Sequence, residues 1–124
     1  FLFSSEIDKE CNAYIKAKIE SNNYLISEMK KDKNDPENSK NYNIAIDSDN
    51  NELLIENSFL KKLLNIDASK NEAKVLYVIM LVETYISERE HELKKDDVKN
   101  EQKKELTDLI NKLKASLKIL NKSN

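Results

Sequence analysis

Apolar side chains recur at spacings of three and four along most of this chain, and only once do they run together unbroken: Val75-Leu76-Tyr77-Val78-Ile79-Met80-Leu81-Val82. Such spacings place side chains on one face of an α-helix, whereas a half-buried strand alternates every second residue. The run itself is ambiguous, because a buried strand and a buried helix look alike over this length. Its flanks decide. Tyr85, Ile86, Arg89 and Leu93 continue at helical spacing, and Ser69 stands three residues before Glu72, the pattern of a capping box. One helix is expected over about 69–95. A helix apolar on nearly all sides has to be surrounded, so it is expected to be the buried centre of a bundle. With Glu72, Lys74 and Glu83 at its borders, the run falls far short of the ~20 apolar residues that cross a bilayer.

The remaining elements follow from the same reading. Ser5, three residues before Asp8, offers a cap for a helix over about 5–33 carrying Ile7, Cys11, Tyr14, Ile15, Ile19, Leu25, Ile26 and Met29. Asn22 is the one polar residue on that stripe, read as a boundary position or an interhelix hydrogen bond. Phe1, Leu2 and Phe3 are expected to fold back as a hydrophobic staple or to fray. Over 34–50 the periodicity dissolves into Asn, Asp, Ser and Lys, which predicts a long polar loop. Asp35-Pro36-Glu37 either breaks the chain there or starts a short helical piece through Tyr42 to Ile46. Asp49, three before Glu52, is read as the cap of a helix over about 51–65, with Leu53, Leu54, Phe59, Leu60, Leu63, Leu64 and Ile66 as the apolar stripe. The short link Asp67-Ala68 makes the helix after it an antiparallel neighbour. Asp96 and Asp97 are taken to cap a last helix over about 97–121. There Leu106, Ile110, Leu113, Leu117 and Leu120 form a coiled-coil seam, to be spent on sister helices or on a second copy.

Composition narrows the class. The 124 residues contain no glycine and one proline, Pro36, so tight hairpins and left-handed caps are hard to write. The expectation is an all-α protein, a compact bundle of four or five helices forming a single domain over 1–124. Charged residues are 35% of the chain and apolar ones 39%, enough apolar content to fold. Net charge is −2, and Arg89 is the one arginine among 21 basic residues, a poor basis for nucleic-acid recognition. The lysine, asparagine and isoleucine excess is what an AT-rich genome encodes.

Candidate chemistry changes little. Cys11 is alone, so it forms no intrachain disulfide; it reads as a small buried hydrophobe, with an intermolecular disulfide as the alternative. Ile7-Asp8-Lys9-Glu10 before it does not resemble a lipoprotein cleavage site. Asp47-Ser48-Asp49-Asn50-Asn51 matches the opening of a calcium-binding EF-hand loop, but Glu52 stands where that loop needs glycine and Ser58 where it needs glutamate. Glu88 and His91 share a helix face as in di-iron bundles, yet His91 is the one histidine, and Lys95 replaces the second histidine of a zinc-protease motif. Without glycine no phosphate-cradling loop can be written. No catalytic, cofactor or metal residue is therefore assigned, and an enzyme is not expected.

A chain beginning Phe1-Leu2-Phe3, without glycine and rich in lysine and asparagine, resembles the small all-helical outer-surface lipoproteins of spirochaetes. The helical domains that AT-rich protozoan parasites export are similar in composition, though their tryptophan-bearing members match less well, tryptophan being absent here. The spirochaete resemblance implies a lipid anchor upstream of Phe1, display at the outer membrane and binding of a host extracellular protein. The expected function is thus a non-catalytic surface-displayed binding module. The alternative is an intracellular assembly protein that dimerises through the Leu106 to Leu120 seam.

Overall fold

The computed structural model describes residues 5–33, 35–37 and 40–122. Among them are four α-helices, α1 (Glu6–Lys33), α2 (Lys40–Leu64), α3 (Glu72–Leu93) and α4 (Asn100–Asn121), with a 3-10 turn at Ala68–Lys70 and no strand. The all-α class expected from the absence of glycine is the class the chain adopts. Two compact units make it up: the start of the chain to Tyr14 with Ile66–Asn124, and Ile15–Asn65. α1 runs from the first into the second. The staple expected of Phe1 to Phe3 lies outside the described residues.

In the first unit α3 packs against α4 and against the 3-10 turn. α3 buries Val75, Val78, Ile79, Val82 and Ile86, and α4 buries Ile110, Leu113 and Leu120 with Leu106 and Leu117 half-buried. The coiled-coil seam of α4 is thereby spent inside the chain. Ile7 and Cys11 of α1 are buried as well, and Tyr14 stacks obliquely on Tyr85 with ring centroids 6.5 Å apart. One expectation needs correction. The Val75 to Val82 run is not covered all round, because Leu76 and Met80 remain 49% and 63% exposed. The helix buries one wide face, and its apolar character simply continues past the edge of that face.

The second unit revises the sequence reading further. The polar loop expected over 34–50 is mostly helix, since α2 begins at Lys40 and takes in Tyr42, Ile44 and Ile46. Asp35 closes a turn instead, its carboxylate accepting the Glu37 amide at 3.0 Å. A stripe of α2 at 43, 46, 50, 53, 57, 60 and 64, alternating three and four, is buried or half-buried together with the adjoining Leu63, and asparagine occupies three of its positions. Asn43, Asn50 and Asn57 hide the stripe from any count of apolar residues. Asn57 is met by α1. Asn22, fully buried, donates to Asn57 Oδ1 at 3.0 Å and to Glu56 Oε1 at 2.8 Å, and Asn57 donates in turn to Asn23 Oδ1 at 3.0 Å. Asn22 is thus the interhelix hydrogen bond that its place on the stripe suggested.

Caps settle where helices start. Ser5 caps α1 as expected, its hydroxyl accepting the Asp8 amide at 3.1 Å. The other three caps lie elsewhere. Asp49 and Glu52 fall inside α2 and cap nothing. The side chain of Asn71, not Ser69, caps α3 by accepting the Lys74 amide at 3.0 Å, because Asp67 has already drawn Ser69 into the 3-10 turn with bonds from its amide and hydroxyl. Those two bonds, the hydroxyl first, hold the Asp67 carboxyl below its ordinary range. α4 starts at Asn100 after Lys99 rather than at Asp97, with Gln102 Oε1 accepting the Lys99 amide at 3.1 Å.

Val78→Asp should abolish the cooperative melt followed by circular dichroism, since Val78 has no exposed surface and a carboxylate there has no partner. Leu76→Asp, two residues away on the exposed face, should cost about 1 kcal/mol or less. Equal effects of the two would contradict this assignment of faces.

Candidate protein-binding face

The residues singled out for chemistry in the sequence are scattered by the fold. Asp47 to Asn51 lie within α2, so their backbone is helical and cannot wrap an ion as a calcium loop does. Asp47 is engaged by Lys33 at 2.6 Å. Glu88 and His91 sit exposed near the end of α3, and Glu88 lies 3.6 Å from Arg89. Among the described residues no group of three or more His, Cys, Asp or Glu side chains is placed to hold a metal ion. Cys11 has no exposed surface, and burial pushes its thiol from the ordinary 9.0 up to about 11, with the nearby Lys74 charge opposing the shift. A thiol so raised is a weak nucleophile near neutral pH.

The most constrained polar group of the first unit was not legible beforehand. Lys74, in the first turn of α3, has a fully buried side chain. Its ammonium donates to Asp8 Oδ1 at 3.1 Å, to Asn12 Oδ1 at 2.7 Å and to the Ile66 carbonyl at 2.5 Å, one acceptor for each N–H. Asp8 also accepts the Ala68 amide at 2.8 Å and the Asn12 carboxamide at 3.2 Å. Asp8 and Asn12 are four residues apart on α1 and share a face. In the sequence Lys74 is only a charge bordering the apolar run, because its side-chain partners Asp8 and Asn12 lie 66 and 62 residues away.

A cleft of about 470 Å³ opens between the end of α3 and the start of α4, with Glu92, Asp97, Glu105 and Lys95 above Leu106 and Leu109. Neither His91 nor Cys11 lines it. Another surface feature is the outer face of α3. Leu76 and Met80, one turn apart, stand exposed between Glu72 and Glu83, which are exposed at the two ends of the same face. Methionine adapts its shape to a partner, and paired exposed apolar side chains rimmed by charge are the makings of a docking patch. Among the described residues no helix is long and apolar enough to cross a membrane.

No protein-family model, curated protein or solved structure matches the chain.

The Cys11 thiol should resist alkylation at pH 8 in the folded protein and react once urea unfolds it. Stability should also fall as pH rises from about 9 toward 11. There the unfolded thiol gives up its proton while the folded one keeps it, so the unfolded state binds fewer protons. Cys11→Ala should fall less steeply over that window in urea titrations; a slope equal to that of the native chain would contradict burial of the thiol.

Proposed function

We propose that the chain is a non-catalytic protein-binding module that docks its partner through the outer face of α3. The observation that supports this most is the exposure of Leu76 and Met80 on the most apolar helix of the chain. The core takes Val75, Val78, Ile79 and Val82 from that run, so folding alone does not require its outward positions to be apolar. Glu72 and Glu83 at the ends of the patch suit a partner that offers an apolar surface with a cationic rim. Following the compositional resemblance to spirochaete outer-surface lipoproteins, the proposal extends to display at a cell surface through a lipid anchor upstream of Phe1, with a host extracellular protein as the partner. Assembly through the α4 seam is the weaker reading, because Ile110, Leu113 and Leu120 are already buried within the chain.

The test is capture from host plasma or extracellular matrix on immobilised protein, beside a Leu76→Ala, Met80→Ala double variant with the same melting curve. A protein retained by the native chain should be held at least tenfold more weakly by the variant. Glu83→Lys should slow its association and reverse the effect of added salt. Equal retention by the native chain and the double variant would remove the outer face of α3 from the proposal.

A further inference from the structure

Lys74 is held by more than an ion pair. Its Nζ lies 2.7 Å from the carboxamide oxygen of Asn12, and the carboxylate of Asp8 touches both partners, at 3.1 Å from Nζ and 3.2 Å from Asn12 Nδ2. An amine, a carboxamide and a carboxyl group bridging the two are the nucleophile, the electrophile and the proton carrier of an aminolysis. Since a C=O bond spans about 1.2 Å, Nζ is no more than about 4 Å from Asn12 Cγ, the carbon under attack. That is close to the ~3–3.5 Å of a near-attack geometry, and a rotation of the carboxamide would close the gap. We propose that Lys74 and Asn12 join in an intramolecular isopeptide bond, with Asp8 carrying the protons.

The reaction balances without any added reagent. Asp8 takes a proton from the Lys74 ammonium, leaving a neutral amine beside a carboxylic acid. The Nζ lone pair attacks Asn12 Cγ, and the C=O π electrons move onto Oδ1. As the carbonyl re-forms, the Cγ–Nδ2 bond breaks, and Nδ2 leaves with one proton from Asp8 and a second from Nζ relayed through the same carboxylate. Together these turn the amide nitrogen into ammonium, and Asp8 ends as the carboxylate it was. One Nζ–Cγ bond forms, one Cγ–Nδ2 bond breaks, and nothing is oxidised or reduced.

One feature favours this site over an ordinary surface lysine beside an asparagine. The groups are held without the translational freedom that makes aminolysis slow in solution, where well-oriented pairs gain effective molarities of about 10⁵–10⁸ M. The Ile66 carbonyl, 2.5 Å from Nζ, is placed to accept the one proton that the amide nitrogen keeps, and the Ala68 amide, 2.8 Å from Asp8 Oδ1, is a donor to Asp8 that the reaction does not consume. A fully buried cation is exchanged for a neutral amide, while the Asp8 carboxylate, 14% exposed, is left without its cation. The link would tie the first turns of α1 to the first turn of α3 by a covalent bond that survives unfolding.

Mass spectrometry of the intact, folded full chain tests this directly. The expected mass is that of the sequence less one ammonia. Digestion should yield a branched peptide joining the segments that contain Asn12 and Lys74, with trypsin unable to cut after Lys74. Asp8→Asn should keep the full sequence mass while its circular dichroism stays helical. A native chain with the unreduced mass after prolonged incubation would overturn the proposal, as would loss of ammonia without a branched peptide. A cross-linked Asp8→Asn variant would overturn the role given to Asp8.

Discussion

An ammonium with no exposed surface is the costliest group in this protein to bury, and the arrangement of the first unit is the solution to that cost. Lys74 needs three acceptors once water is gone, and they come from three places in the chain: Asp8 and Asn12 on α1, and the carbonyl of Ile66 just before the 3-10 turn. Two of them also fix something else. Asp8 holds the Ala68 amide, which sets the corner leading into α3, and Asn12 holds Asp8 along the face of α1. An apolar face alone permits a helix to slide or rotate on its neighbour at modest cost. A buried charge with three directed bonds does not permit it.

The second unit makes the same use of polarity without a charge. Asn22 and Asn57 face each other in a seam otherwise lined by Ile46, Leu60 and Leu63, and their carboxamides pair across it. A buried polar pair in such a seam costs stability relative to leucine but has only one register in which it is satisfied. Asn43 and Asn50 continue the series at intervals of seven, so α2 is a regular helix on a narrow seam, not a loop. The outer side of that helix leaves Ile44, Leu54 and Ile55 at half exposure or more.

How much of this was legible follows from which interactions are local. The α3 run and the α4 seam could be read because their spacing is carried by leucine, isoleucine and valine. Ser5 was recognisable as a cap because its partner lies three residues away. The first half of α2 reads as a loop with at most a short helical piece through Tyr42 to Ile46, because its seam positions are asparagines, which also signal loops, and only the facing helix distinguishes the two uses. Ser69 was misassigned because Asp67 competes for it locally. Lys74 was beyond reach: its acceptor Asp8 is 66 residues away in sequence. The patch of Leu76 and Met80 was visible as residues but read as core, since periodicity shows that a run is apolar and not which of its sides is covered.

The proposed binding role rests on that patch, and the patch is only as well defined as the orientation of α3, which the Lys74 site fixes. A double-mutant cycle on Asp8→Asn and Lys74→Met, read by urea unfolding against the native chain before any Lys74–Asn12 link has formed, tests that dependence most directly. Each single change should cost about 3–5 kcal/mol, because it strands the other partner in the interior. The double variant should cost far less than the sum of the two. Additive losses, or single variants as stable as the native chain, would contradict the claim that this buried pair orders the first unit.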